Sequence, residues 1–229
     1  MKVENLYKEN IPEITDVLFE AFYNYPVMKY VLGEKRNYDD RLRKAVTFFV
    51  SARALRKEPL FGIYNSDNKL VAAATVTLPG EIPSPPELYR LRDKLWAELG
   101  SEEKARYGNY GNIASGLLPK EPHHHLNMIG VINAYQGKGL ARQLINEVEK
   151  LVSEHPLSTG VSLNTEVEAN VNFYFHLGYE LLGKAIVEKN VLHQAVTDDS
   201  VTAASSHGTT VTSLVDVVTW GFFKSKREI

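Results

Sequence analysis

The sequence predicts a mixed α/β fold. Apolar residues recur at helical spacing in some segments and form short β-branched or apolar runs bounded by turn residues in others. Through the second half of the chain these two kinds of segment alternate. The 229 residues, 44% hydrophobic and 24% charged, suffice for a substantial core. They allow one enlarged domain or two small ones, and no clean linker divides them.

From the N-terminus, Ile11, Ile14, Leu18, Ala21 and Phe22 form one face of a first helix. It runs into the aromatic cluster Phe22, Tyr23 and Tyr25, where Pro26 is expected to break it. Leu42, Ala45, Val46, Phe49 and Ala52 give a second helix over 38–55. The runs 60–64 and 70–78, joined by Asn65-Ser66-Asp67-Asn68, read as a hairpin. Four prolines between Pro79 and Pro86 mark an irregular connection. Leu88, Leu91, Leu95 and Leu99 stripe a helix over 87–99, and Ser101 is a candidate N-cap for a shorter one. Gly108, Gly111 and Gly116 give the stretch before Pro119 the look of a loop.

Residues 124–132 read as a buried strand, and Leu140, Leu144, Ile145, Val148, Leu151 and Val152 as one helix face ended by His155-Pro156. A strand at 161–163, a helix at 169–177 and a strand at 179–187 follow. The Ser-, Thr- and Asp-rich run 190–210 lacks periodicity and reads as a long excursion. Residues 214–223 close the chain as a strand.

Composition excludes several functional classes. The 26 basic and 28 acidic residues give a net charge of −2, unlike a protein that coats nucleic acid or anionic membrane. The absence of cysteine rules out disulfides, thiolate metal sites and a cysteine nucleophile. The N-terminal residues carry charge where a signal peptide needs an apolar core, and no apolar run reaches membrane-spanning length. The expectation is a cytoplasmic, metal-independent protein, a monomer or homodimer, with neither nucleic acid nor membrane as partner. His123 and His125 are the one pair in the histidine run that shares a strand face, and no carboxylate at suitable spacing completes a metal site.

The most informative segment runs from Met128 to Arg142. A buried strand ends, a turn follows, and a helix opens on Gln136-Gly137-Lys138-Gly139-Leu140-Ala141. Unpaired backbone N–H groups and the positive end of the helix dipole favour an anion there. Gly137 and Gly139 allow close approach to the main chain, and Lys138 and Arg142 add positive charge. A P-loop is excluded because glycine, not Ser or Thr, follows Lys138. The dinucleotide fingerprint fails because its third small residue is replaced by Arg142. Alone, Gln-x-x-Gly-x-Ala does not separate a pyrophosphate cradle from a helix start that contains glycines.

A second segment, Asn170-Val-Asn-Phe-Tyr174-Phe-His-Leu-Gly178-Tyr179, follows the next strand. Together the two segments resemble the GNAT N-acetyltransferase superfamily, with agreement from about Leu126 to Leu182. Ala72, where the family often has glycine, and Tyr179 in place of phenylalanine are mild departures. The resemblance implies one acetyltransferase domain, enlarged by insertions near 81–120 and 190–210. It implies a central, mostly antiparallel sheet, splayed between its fourth and fifth strands and flanked by helices. Acetyl-CoA would be co-substrate, with its phosphates on the backbone of Gln136 to Ala141 beside Lys138 and Arg142. Ile129, Gly130 and Val131 would pair with pantetheine, Asn170 would contact the cofactor arm, and Tyr174 would stand near the sulfur.

The implied reaction is transfer of acetyl to the amine of a small molecule or peptide. An amine with a pKa near 10.4 is neutral in only about one molecule in two thousand at pH 7, so a base or water chain is needed. Tyr174 is the expected proton donor to the departing thiolate, and His125 is preferred as base or water-orienting group. A non-catalytic acyl-CoA-binding module on the same fold is the alternative. The acceptor pocket is expected from Phe22–Tyr25, the 81–120 insertion and the final strands.

Overall fold

The computed structural model describes residues 1–33, 37–80, 82–193 and 213–229. A short edge strand, β1 (Val3–Leu6), precedes α1 (Ile11–Phe22), α2 (Pro26–Leu32) and α3 (Tyr38–Leu55). The hairpin β2 (Leu60–Tyr64) and β3 (Leu70–Thr77) leads to α4 (Pro86–Leu99) and α5 (Ser101–Ser115). Then come β4 (His124–Val131), α6 (Leu140–Glu154), β5 (Gly160–Thr165), α7 (Ala169–His176), β6 (Glu180–His193) and β7 (Ser213–Ser225). The strands form one sheet in the order β1-β2-β3-β4-β5-β7-β6. Every pairing is antiparallel except β4 with β5.

Both faces of the sheet are covered. On one, α1 to α4 pack Leu18, Leu32, Leu42, Val46 and Leu95 against Leu60, Ala73 and Met128. On the other, α6 packs Leu144, Ile145 and Val148 against Val71, Ala72 and Val76. The central strand β3 is consequently buried on both sides, and its Ala72, Ala73 and Ala74 are fully inaccessible.

The structure corrects several expectations. Pro26 does not only break α1; it occupies the first turn of α2, where its missing N–H costs nothing. The stretch containing Gly108 and Gly111 is helical, and Gly100, not Ser101, is the N-cap of α5. Tyr107, Tyr110 and Ile113 anchor α5 to the core, so burial overrides the weak glycine propensity. The strand β1 escaped detection because, of its Val-Glu-Asn-Leu residues, Leu6 alone is buried. The expected 190–210 excursion begins inside β6, which runs to His193; the remainder lies outside the described residues. Among the described residues, no helix is long and apolar enough to cross a membrane.

Two irregularities shape the centre of the sheet. The pairing of β4 with β5 covers His124, His125 and Leu126 and stops there, so the strands part beyond Leu126. At the same place the β3–β4 register shifts: Thr75 lies opposite Met128 but Val76 opposite Leu126. Asn127 is the extra residue of this bulge. Strict alternation therefore fails: Leu126 packs on the α6 face, whereas Met128, two residues on, packs on the α1 face.

Candidate active site

Where β4 and β5 separate, a cavity of about 350 Å3 opens between the sheet and the helices α1 to α5. Phe22, Tyr25, Phe49, Trp96, Tyr107 and Tyr110 form its aromatic wall. The Phe49 and Tyr107 rings stack with centroids 5.4 Å apart, and Trp96 lies 5.2 Å from Tyr107. The segment expected to be an insertion thus supplies much of that wall through α4 and α5. A larger open groove, of about 810 Å3, runs along α1 past Glu20 and Asn133 and shares Tyr25 with the cavity.

His125, Asn127, Ile129, Asn170 and Tyr174 all border the cavity. Tyr174 is buried, its ring 5.5 Å from that of Phe222. Burial, reinforced by the nearby Glu166 carboxyl, pushes its hydroxyl well above the usual phenol value. It remains protonated at neutral pH and can donate. Asn170 donates through Nδ2 to Thr165 Oγ1 at 3.1 Å, which ties α7 to the end of β5.

His125 shares a 2.8 Å hydrogen bond through Nδ1 with Ser162 Oγ. Burial, with His123 and Arg53 adding to it, pushes His125 down to about 3. The ring is neutral at pH 7 and a weak proton acceptor there. His123 faces elsewhere, bonding the Glu121 carbonyl at 2.7 Å.

Sequence reasoning missed Glu166, which is only 6% exposed and lines the same cavity. Its Oε1 accepts hydrogen bonds from Tyr110 Oη at 3.1 Å and Thr219 Oγ1 at 2.6 Å. Burial pushes its carboxyl up to about 7, against the pull of the surrounding hydroxyls. A polar relay was missed as well. Arg53 donates to Glu58 at 2.9 Å and bonds Thr77, whose hydroxyl donates to Asn127 Oδ1 at 2.9 Å. No motif marks the contacts of Glu166 or those of Thr77 with Arg53 and Asn127, since these partners lie far apart in sequence.

Past the cavity, β4 continues through Ile129, Gly130 and Val131, paired to β3 and not to β5. Gly130 faces α1: a Cβ there would lie 2.7 Å from that of Ala21, so the glycine lets helix and strand touch. Gln136 Nε2 donates to the Val131 carbonyl at 3.2 Å and folds the turn back onto the strand. Gly137 and Gly139 have φ of 72° and 76°, and Gly139 is the N-cap of α6. A Cβ at either position would meet nothing within 4 Å. This leaves open space over the first N–H groups of a 15-residue helix, those of Leu140, Ala141 and Arg142. Lys138 lies with its Nζ 4.4 Å from the Tyr135 ring centroid. Backbone donors, helix dipole and absent side chains fit a phosphate group, and the parted strands fit an extended arm leading from it to Tyr174. Among the described residues, no cluster of His, Asp and Glu is positioned to hold a metal ion.

Residues 102–197 match a family model described as the acetyltransferase (GNAT) domain. A curated protein of Dictyostelium discoideum, named a probable serine/threonine-protein kinase, is 27% identical over 191 residues. The match takes in 76% of this chain and 20% of that protein, so the chain spans about a fifth of this relative's length. Solved structures share the fold. One, described as a histone acetyltransferase HPA2 and related acetyltransferase from Corynebacterium glutamicum, has a TM-score of 0.62 at 17% identity, covering 96% of this chain and 94% of that one. Arylalkylamine N-acetyltransferase 2 of Aedes aegypti has a TM-score of 0.61 at 15% identity, with 98% of both chains covered. The polyamine N-acetyltransferase of Drosophila melanogaster gives 0.53 at 14% identity, over 97% of this chain and 98% of that one. The match over residues 102–197 and the splayed, mostly antiparallel sheet make this chain similar to GNAT acetyltransferases in that segment and in fold.

Proposed function

We propose that the protein is an acetyl-CoA-dependent N-acetyltransferase that passes its acetyl group directly to the amine of a small molecule or peptide. The observation that carries this reading is the parting of β4 from β5 after Leu126, at the cavity bordered by Tyr174 and Asn170. The glycine-lined start of α6 beyond it supports a phosphate-bearing donor.

In this reading acetyl-CoA is a co-substrate that supplies the activated thioester. Backbone N–H groups of residues 136–141 hold its phosphates, with Lys138 and Arg142 adding charge. The free edge of Ile129–Val131 aligns the pantetheine arm, and Asn170 fixes the floor beside it. A β4 N–H in the same stretch polarises the thioester carbonyl. Tyr174 donates a proton to the leaving sulfur. His125 stays neutral and orients water or substrate through the ring nitrogen not engaged with Ser162.

The test is thiol release from acetyl-CoA across a panel of amines, with CoA affinity followed by calorimetry. Tyr174→Phe should lower kcat about 100-fold and leave CoA affinity within about twofold. Unchanged kcat would remove Tyr174 from the reaction. CoA binding without turnover on any amine would favour an acyl-CoA-binding module instead.

A further inference from the structure

We propose that Glu166 receives the acceptor's ammonium group and acts as its catalytic base, and that the acceptor is a primary amine carried on a small aromatic or apolar body. The proposal rests on the acetyl-transfer reading above and adds the acceptor's recognition to it.

The first support is an imbalance of charge. Glu166 is buried, and among the described residues no Lys or Arg is paired with it. Its contacts are hydroxyls: Tyr110 and Thr219 donate to Oε1, and Tyr25 Oη accepts its backbone N–H at 3.2 Å. Hydroxyls solvate a carboxylate without neutralising it, so the ionised form lacks a counter-charge. Arg53, the cation bordering the cavity, is committed to Glu58 and Thr77. An incoming ammonium ion supplies the missing charge.

The second support is the wall. Phe22, Tyr25, Phe49, Trp96, Tyr107 and Tyr110 enclose the cavity with aromatic surface. Its volume of about 350 Å3 lies at the small end of ligand pockets, roughly 300–1,000 Å3. A ring with a short aminoalkyl chain satisfies both features at once. A diamine would have to bury its second charge against aromatic carbon.

The titratable groups facing Glu166 are Tyr25, Tyr110 and Tyr174. All three hydroxyls are pushed upward by burial and by Glu166 itself, and so remain protonated at neutral pH. His125 also borders the cavity and is held neutral. With its carboxyl pushed up to about 7, Glu166 is matched to accepting a proton near neutrality.

The step balances as follows. Glu166 takes one proton from the ammonium ion, and the freed nitrogen lone pair forms the C–N bond at the thioester carbonyl. The C–S bond breaks with its electron pair on sulfur, which takes the Tyr174 proton. The second nitrogen proton returns to Tyr174, and Glu166 releases its own to solvent. The sum is ammonium plus acetyl-CoA giving amide, CoA thiol and one proton.

The experiment measures kcat/KM for 2-phenylethylamine, putrescine and an unblocked tripeptide from pH 5.5 to 9. Wild type should favour 2-phenylethylamine at least tenfold, with activity rising through an apparent pKa near that of Glu166. Glu166→Gln should lower kcat/KM 100-fold or more, remove that limb and keep CoA affinity within twofold. Tyr110→Phe keeps the carboxyl but removes a hydrogen bond to its ionised form, so the limb should move to higher pH. This variant also tests the proposal if Glu166→Gln does not fold. An active wild type with neither variant altering the limb would overturn the role of Glu166. Equal or better turnover of putrescine would overturn the acceptor class. Absence of thiol release with every amine would overturn the acetyl-transfer reading and this proposal with it.

Discussion

The phenolic oxygen of Tyr25 accepts a hydrogen bond from the backbone N–H of Glu166 at 3.2 Å, across 141 residues of sequence. It also lies 3.1 Å from Thr165 Oγ1. One hydroxyl between α1 and α2 thereby fixes the end of β5, where the sheet has already parted. Tyr25→Phe should leave a buried N–H without its acceptor and destabilise the fold by about 1–3 kcal/mol. Urea denaturation would measure the loss; a change below about 0.5 kcal/mol would show that another group takes over the N–H.

The helices that wall the cavity are joined by buried charge. Arg41 Nη2 meets Glu103 Oε1 at 2.6 Å, and Arg106 meets the same oxygen at 3.3 Å. Arg41 also donates to the Leu32 carbonyl, so α2, α3 and α5 converge on one cluster. Glu103→Ala strands the buried Arg41 and should cost about 3–5 kcal/mol in chemical denaturation. An exposed pair such as Lys44 with Asp40 provides the contrast, since Asp40→Ala should leave the denaturation midpoint nearly unchanged.

Acid should destabilise the protein through two imidazoles. Burial, with neighbouring positive groups adding to it, pushes His124 down to about 4 and His125 down to about 3. The unfolded chain takes protons near pH 6.5 that the folded chain refuses, so their contribution is complete above that pH and lost as pH falls. Each should account for about 1.4 kcal/mol per pH unit between roughly pH 6 and pH 4.5. Glu166 runs the other way: its raised pKa gives stability at low pH that is lost on approaching pH 7. The stability difference between wild type and His124→Gln isolates one imidazole and should shrink at that rate on acidification. A difference independent of pH would show that His124 titrates normally when folded.

At the start of α6, steric room and backbone strain can be separated. Gly137 and Gly139 have positive φ, and a methyl group at either position would find no atom within 4 Å. Alanine at Gly139 should cost about 1–2 kcal/mol from the left-handed backbone alone. If phosphates rest on these groups, the same methyl should weaken CoA binding at least tenfold. Loss of stability with unchanged CoA affinity would move the phosphate site elsewhere.

Segments whose stability is local were legible in the sequence. The apolar stripes of α3 and α6 gave their limits closely, because one face of each is buried almost without interruption. Gln136 to Ala141 could be read because backbone chemistry at a helix start needs particular residues at fixed spacing. Tertiary structure hid the rest. Gly108 and Gly111 lie in a helix held by its neighbours, against their own preference. Glu166 gains its surroundings from Tyr25, Tyr110 and Thr219, on three separate elements, and no local pattern announces that meeting.

The extra residue at Asn127 acts as a phase shift within β4. On its N-terminal side His124 and Leu126 point toward α6; on its C-terminal side Met128 and Gly130 point toward α1. The strand therefore runs in two opposite frames, one for the pocket end and one for the end that leads to α6. Deleting that single residue would make Leu126 and Met128 neighbours on opposite faces, each still opposite its own β3 partner, so the two frames would merge into one regular strand and the amide that receives the Thr77 hydroxyl would be lost.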